Sequence, residues 1–251
     1  MLAVSQVRAV ARVIALLCLA GLCGGGAVAQ SAPPLQLAAL APAGDALQAA
    51  PPPVDQGPFG KGPFGMAAAH NGAMSAKWRG LQPAVQMEAR ILEYCRADAQ
   101  SCPPAAARFL AIVDTARART GRARIGEINR AINLAIRPES DLVRFRVSDV
   151  WTTPLTTFAA GAGDCEDYAI AKYVALREAG VAPEDLRLVI VRNRALNEDH
   201  AVAAARVDGQ WLILDNRHML LLTDSQATGL TPLVTLDHND GRQTVEVAEA
   251  T

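Results

Sequence analysis

The chain has 251 residues, 20% of them charged, with a formal net charge of −1 at pH 7. That balance offers no basic face, so nucleic acid is not an expected partner.

Residues 1–29 read as a secretory signal. Arg8 and Arg12 give a positive n-region, Val13 to Leu22 an apolar h-region, and Ala27-Val28-Ala29 an A-x-A cleavage site. The apolar run is too short and too glycine-rich at its end for a membrane span. Neither Cys18 nor Cys23 follows the small residue that lipoprotein processing needs. The mature chain is expected to begin at Gln30 in the periplasm, not itself membrane-spanning and two basic residues poorer. Two of the five cysteines leave with the signal. Cys95, Cys102 and Cys165 then meet an oxidising compartment as an odd set. Cys95 and Cys102 are close enough to close a short loop, which makes Cys165 the free thiol. Three reduced, buried cysteines are the alternative.

Residues 30–75 hold eight of the 15 prolines and only Asp45, Asp55 and Lys61 as charges. Gly57-Pro58-Phe59-Gly60 recurs as Gly62-Pro63-Phe64-Gly65. Such a segment cannot bury a core and is expected to be a disordered or extended linker. Docking through the two phenylalanines is the other reading. Residues 76–251 are expected to fold as one domain, long enough for a sizeable core.

The first half of that domain reads as helical. Pro83 to Ala97 carries Val85, Met87, Ile91, Leu92 and Cys95 at mostly helical spacing. Ser101-Cys102-Pro103-Pro104 opens a second helix that runs to Thr120-Gly121. Ile125, Ile128, Ile132 and Ile136 mark a third, with a buried stripe, stopped by Pro138. Trp151 to Pro154 is a turn, and Leu155 to Ala160 a short helical turn. Next, a glycine-broken loop runs into Asp164 as N-cap, a helix through Cys165 and an apolar run, and Gly180 as the stop. Beyond it the period changes to two. Leu186 to Arg192, His200 to Val207 and Gln210 to Asn216 read as strands, with Thr231 to Leu236 and Thr244 to Val247 as further candidates. Helices followed by strands indicate an α+β domain with an antiparallel sheet.

Cys165 falls in the first turn of its helix, where unpaired N–H groups and the helix dipole favour a thiolate. Asp208-Gly209 between two apolar strands predicts a two-residue type I′ hairpin. Val207 then faces Gln210, Asp215 lies opposite Val202, and Asp215 is the diagonal neighbour of His200 on one face. His218 points the other way, His70 lies in the linker, and His238 is near the C-terminus. Cys165, His200 and Asp215 thus offer a nucleophile, its base and the group that orients the base. Each alone has a bland reading: an inert cysteine, a satisfied histidine, a turn-forming aspartate. Asp164, Glu166 and Asp167 suit the helix dipole, but three carboxylates in four residues also suit a hard cation such as Ca²⁺.

These residues resemble a known family. Gly163 to Gly180 (GDCEDYAIAKYVALREAG), then DHAV at Asp199 to Val202, then LILDN at Leu212 to Asn216, look like the bacterial transglutaminase-like cysteine proteinases. The likeness runs from about Trp78 onward and includes CPPAAARFL at Cys102 to Leu110. It implies a papain/transglutaminase-like fold, a triad at Cys165, His200 and Asp215, and calcium dependence with ligands at Asp164, Glu166 and Asp167. It also implies a large surface adhesin as substrate, cut near its N-terminus, often at paired alanines. An inner-membrane cyclic-di-GMP receptor is then the expected inhibitor, and biofilm attachment the process controlled. Two features depart from the pattern: the Pro/Gly-rich linker, and the small residues Ala201 and Ala203 to Ala205 after His200. Other readings share the thiol acyl-enzyme, namely a cell-wall amidase, against which Glu166-Asp167 argues, and a cross-linking transglutaminase. A non-catalytic peptide-binding scaffold is the non-enzymatic alternative. If Cys165 attacks a peptide carbonyl, its own backbone N–H is one oxyanion donor, and the Trp151 indole a speculative second.

Overall fold

A computed structural model describes residues 57–60 and 68–240. The expected signal, most of the linker and the strand expected at Thr244 to Val247 lie outside the described residues. The helical half comprises α1 (Ala68–Ala97), α2 (Pro104–Arg117), α3 (Gly121–Ala135), α4 (Asp141–Phe145), α5 (Pro154–Ala160) and α6 (Cys165–Glu178). Two short strands, β1 (Arg137–Pro138) and β2 (Ala162–Gly163), pair in parallel between them. The strands β3 (Leu186–Asn193), β4 (Glu198–Val207), β5 (Gln210–Leu214), β6 (Leu222–Thr223) and β7 (Leu230–Leu236) follow. They form one antiparallel sheet in the order β6-β5-β4-β3-β7. Among the described residues no helix is long and apolar enough to cross a membrane.

Alternation divides the sheet into two faces. Leu186, Leu188, Ala201, Ala203, Ala205, Leu212 and Leu214 join the helical core. Val189, Val191, Val202, Ala204, Trp211 and Ile213 form a second cluster on the other face. Ala201, Ala203 and Ala205, on the helical face, have a physical reason: with only a Cβ there on β4, α6 can lie close against the strand. That helix is buried along nearly its whole length. It ends as the sequence implies, with Gly180 at φ 90° and the Val181 N–H donating to Leu176 O at 3.0 Å.

Two differences from the sequence reading concern α1 and the linker. The helix begins at Ala68 rather than Pro83 and carries Pro83 inside. A proline frees the carbonyl four residues back, here that of Arg79, and Arg79 and Gly80 are exposed. Water can therefore serve the freed carbonyl. Buried anchoring favours the longer helix: Trp78 is 1% exposed, stacks edge-on to Tyr173 at 5.1 Å, and donates from Nε1 to Asp237 O at 3.0 Å. In the segment read as linker, Gly57 to Gly60 forms a turn that packs Phe59 onto the second cluster. The Phe59 N–H donates to Asp224 Oδ2 at 3.0 Å. Cys95 and Cys102 form the expected disulfide, with Cα atoms 4.7 Å apart, and Cys165 is free.

Candidate active site

Cys165 is the first residue of α6 because two glycines shape its approach. Gly161 caps α5 at φ 64°, a left-handed conformation that glycine adopts without strain. Gly163 has no room for a side chain: a Cβ there would meet Asp167 Cβ and Oδ2 at 2.8 Å. Asp164 sits at the N-cap but makes no side-chain cap bond. Its Oδ2 instead accepts the Asp141 N–H at 3.3 Å.

The hairpin is the one its turn residues dictate. Asp208 and Gly209 have φ of 52° and 76°, and Val207 pairs with Gln210. His200 Nε2–H donates to Asp215 Oδ1 at 2.8 Å, in a site where the residues are 1% and 5% exposed. A carboxylate can only accept, so this bond fixes the tautomer and leaves Nδ1 as the free lone pair. Nδ1 is buried and makes no hydrogen bond among the described residues. Asp215 Oδ1 also accepts the Arg217 N–H at 3.0 Å. Burial alone would raise the Asp215 carboxyl, but the His200 hydrogen bond and charge, the Arg217 N–H and the Lys172 charge hold it below its ordinary value. The turn that carries Asp215 is pinned from α3. Asn133 Nδ2 donates to Asp215 O at 3.0 Å, and Asn129 Nδ2 to His218 O at 2.9 Å. Neither asparagine was singled out from sequence; the signal was a polar residue inside the isoleucine stripe.

Cys165 and His200 line one cavity of about 310 Å³, with Met74, Asp149, Trp151, Asp164, Glu166, Ile190, Asp199 and Ala201. The sulfur does not have the low pKa that its helix position suggested. Burial, then the charge of Glu166 and its hydrogen bond, push the Cys165 thiol up, although the Ala201 backbone pulls the other way. The thiol donates to Glu166 Oε2 at 3.1 Å. The Trp151 indole, a speculative oxyanion donor in the sequence, is engaged elsewhere: Nε1 donates to Asp149 Oδ1 at 3.0 Å.

The acidic residues divide differently from the sequence reading. Asp141, Asp164 and Glu166 bring ligand oxygens within 4.8 Å of one another. Asp167 is not among them. It is fully buried, pairs with Arg144 Nη1 at 2.5 Å, and accepts the Thr152 N–H at 3.0 Å and its hydroxyl at 2.6 Å. Its oxygens are committed to protein donors, and Asp141 stands in the carboxylate cluster where the sequence reading expected Asp167. The cluster fits a hard cation. Asp141 Oδ1 and Asp164 Oδ1 are buried without a hydrogen bond among the described residues. Burial and then the neighbouring Glu166 and Asp141 charges push Asp164 up to about 8. Burial raises Glu166 and Asp141 as well. Three carboxylates that resist ionising together, with unmet oxygens, suit the oxygen-only coordination of Ca²⁺.

A family model for bacterial transglutaminase-like cysteine proteinases matches residues 83–247. No curated protein matches by sequence. Among solved structures, LapG of Legionella pneumophila is 24% identical at a TM-score of 0.50, covering 60% of this chain and 84% of that one. Its calcium-bound form is 25% identical at a TM-score of 0.51, covering 59% of this chain and 84% of that one. Its EGTA-treated form is 24% identical at 0.50, covering 59% and 81%. The α+β fold is therefore transglutaminase-like, and this chain belongs to the bacterial transglutaminase-like cysteine proteinases and is a cysteine peptidase.

Proposed function

We propose that this peptidase is a periplasmic endopeptidase with Cys165 as nucleophile, His200 as base and Asp215 as the orienting carboxylate. The observation that carries this reading is that His200 Nδ1, buried without a hydrogen bond among the described residues and on a ring fixed by Asp215, shares one cavity with a free cysteine at a helix start. Nδ1 takes the thiol proton as Sγ attacks a peptide carbonyl. The Cys165 backbone N–H faces the developing oxyanion. Nδ1–H then protonates the leaving amine, and water attacks the thioester with His200 again as base. Asp215 holds the tautomer and offsets the imidazolium charge throughout.

In the described geometry the thiol keeps its proton and donates it in a hydrogen bond to Glu166, and carboxylate charge opposes the thiolate. Asp141, Asp164 and Glu166 would hold a divalent cation, whose positive charge would offset these carboxylates. Ca²⁺ is the ion favoured by the all-oxygen ligand set and by the likeness to a calcium-bound LapG.

The substrate we propose is a large surface adhesin cut near its N-terminus, so that cleavage controls biofilm attachment. An inner-membrane cyclic-di-GMP receptor of the LapD type is the proposed inhibitory partner. Support comes from the family and the likeness to LapG. The test is mass spectrometry of released surface proteins in cells with and without Cys165→Ala. One large adhesin should leave the released fraction of the variant and stay cell-bound. Equal release from both would overturn the reading.

A further inference from the structure

Asp215 faces a second cavity, separate from the one that holds Cys165. It has a volume of about 170 Å³, and Asp215, Ile213, Leu222 and Leu230 form its walls. Ile213 and Leu230 belong to the cluster on the sheet face turned away from the helical core. His218, Leu220, Gln226 and Thr228 line its open side and are all exposed. Neither Cys165 nor His200 lines this cavity, and Asp215 does not line the one they share. The carboxylate therefore meets the imidazole on one side and, on another, a pocket that the peptidase reaction does not use.

The two oxygens of Asp215 are unequally engaged. Oδ1 accepts both the His200 ring N–H at 2.8 Å and the Arg217 N–H at 3.0 Å, while Oδ2 accepts no hydrogen bond among the described residues. No lysine or arginine side chain forms an ion pair with Asp215 among them either. Arg194 donates to Thr228 O and does not line the cavity. His200 as base is neutral, and burial pulls Lys172 down to about 7. Above neutral pH the carboxylate thus lies 5% exposed with no full positive charge paired to it. Such a group is costly to bury, and a cation that reaches the open oxygen offsets part of that cost. Apolar walls around a single carboxylate define the ligand: an ammonium head on a short aliphatic stem. An anion meets the Asp215 charge, and a neutral alcohol gains only the weaker, uncharged hydrogen bond. The size fits as well. An apolar cavity of about 150 Å³ takes a benzene molecule, and n-butylammonium has fewer heavy atoms than benzene.

We propose that this cavity is a regulatory site for a primary aliphatic ammonium group, a free amine or a lysine side chain, which pairs with Asp215 Oδ2 and weakens the hold of Asp215 on His200. The consequence for the reaction rests on Asp215 being the carboxylate that orients His200; the binding itself does not. A cation within about 4–6 Å lowers the basicity of a neighbouring imidazole by about one pKa unit. It also draws on the carboxylate charge that offsets the imidazolium. Occupation of the cavity therefore slows proton transfer from Cys165 with no ligand near the sulfur.

The test uses the full chain with calcium chloride at constant ionic strength. Binding of n-butylammonium chloride is followed by the shift in Tm, with 1-butanol and sodium butyrate as the neutral and anionic counterparts. The ammonium should raise Tm saturably, and the other two should not. Acetyl-lysine N-methylamide separates the sources. A matching shift assigns the site to a lysine side chain of a protein; no shift, where butylammonium gives one, assigns it to a free amine. In parallel, intact mass follows iodoacetamide labelling of Cys165, in which sulfur displaces iodide and the thiol proton leaves through His200. Saturating butylammonium should slow labelling about tenfold. Gly229→Leu fills the cavity from a position where an added Cβ has nothing within 4 Å, and Leu220→Trp does so from the rim, at a residue 78% exposed. Each filled protein, compared with and without the amine, should lose both effects. Equal Tm shifts from butylammonium and 1-butanol overturn the site, as does an amine effect that survives in both filled proteins. Asp215→Asn tests the reading beneath. Slow labelling in that protein, with no effect of the amine on the parent, overturns the proposal alone. Labelling of Asp215→Asn at the parent's rate overturns the orienting role of Asp215 and the regulation with it.

Discussion

Asp167 and Asp141 exchange the roles that their positions in the sequence suggest. Asp167 follows Cys165 by two residues, yet its carboxylate is taken by Arg144 and Thr152. Asp141 is 24 residues upstream of Cys165 and completes the three-carboxylate cluster with Asp164 and Glu166. Nothing local marks it, because its neighbours arrive only when α4 folds against α6. The two should therefore respond differently to substitution. Asp167→Ala leaves the Arg144 charge, 7% exposed, without its close partner. It should destabilise by about 3 kcal/mol in chemical denaturation, with or without calcium. Asp141→Asn should keep most of the apo stability and lose the rise in Tm that added Ca²⁺ gives the parent. Equal calcium responses in Asp141→Asn and the parent would remove Asp141 from the ligand set. Lys172 is a second residue whose environment the sequence hid. It lies within the alanine-rich face of α6, fully buried, with Nζ lacking a hydrogen bond among the described residues. Burial pulls it down to about 7, against the opposing charge of Asp215. Between about 7 and its ordinary value the unfolded chain binds the proton and the folded one does not. Stability from this group is thus present at high pH and is lost as pH falls through 7. Lys172→Met should raise Tm more at pH 6 than at pH 10. Equal gains at the two pH values would count against a buried charge there.

At the scale of elements, the hairpin was the most legible part. A two-residue Asp-Gly turn leaves one register, and that register puts Asp215 on the His200 face. The helix of Cys165 was legible from its glycines and its alanine-rich run. The start of α1 was not, because a proline normally ends a helix and the compensating contact, Trp78 to Asp237, spans nearly the whole domain. The thiol's environment was equally hidden: the helix dipole is a local cue, whereas burial and Glu166 override it. The loop of α4 and the first turn of α6 also carry a pH signature. Asp164, raised to about 8, binds a proton in the folded state at pH values where the unfolded chain has lost it. The calcium-free fold is therefore favoured at low pH, and that contribution is lost as pH rises through about 8. With chelator present, Tm should fall between pH 5 and pH 8. Added Ca²⁺ should restore more at pH 8 than at pH 5, because it competes with protons for the same oxygens. A calcium effect that is larger at pH 5 would argue against this cluster as the site.

Across the whole molecule, the disulfide joins the end of α1 to the start of α2. Closing so short a loop is worth about 2–3 kcal/mol in the chain-entropy account. Cys95→Ala together with Cys102→Ala should lower denaturation stability by about that amount and leave Cys165 reactivity intact. Loss of Cys165 alkylation in that protein would mean that the clasp also shapes the site. The hairpin, the helix of Cys165 and the Cys95–Cys102 bond follow from patterns visible along the chain. The order of the strands and the carboxylate cluster do not, because each is assembled from segments apart in sequence.

The bond from Trp78 to Asp237 O, with Ser75 Oγ 3.5 Å from Asp240 Oδ1, has a topological consequence. It holds α1 beside the residues that follow β7, so the chain returns close to where its first long helix runs. A chain that returns in this way can be cut elsewhere without losing its core. A circular permutant that joins the two ends of the full domain through a flexible bridge, and opens between Arg119 and Thr120, should fold with the parent's circular dichroism. Its entry point would then lie on the far side of the sequence from any exported leader, which would free the domain for use as an insert within another protein.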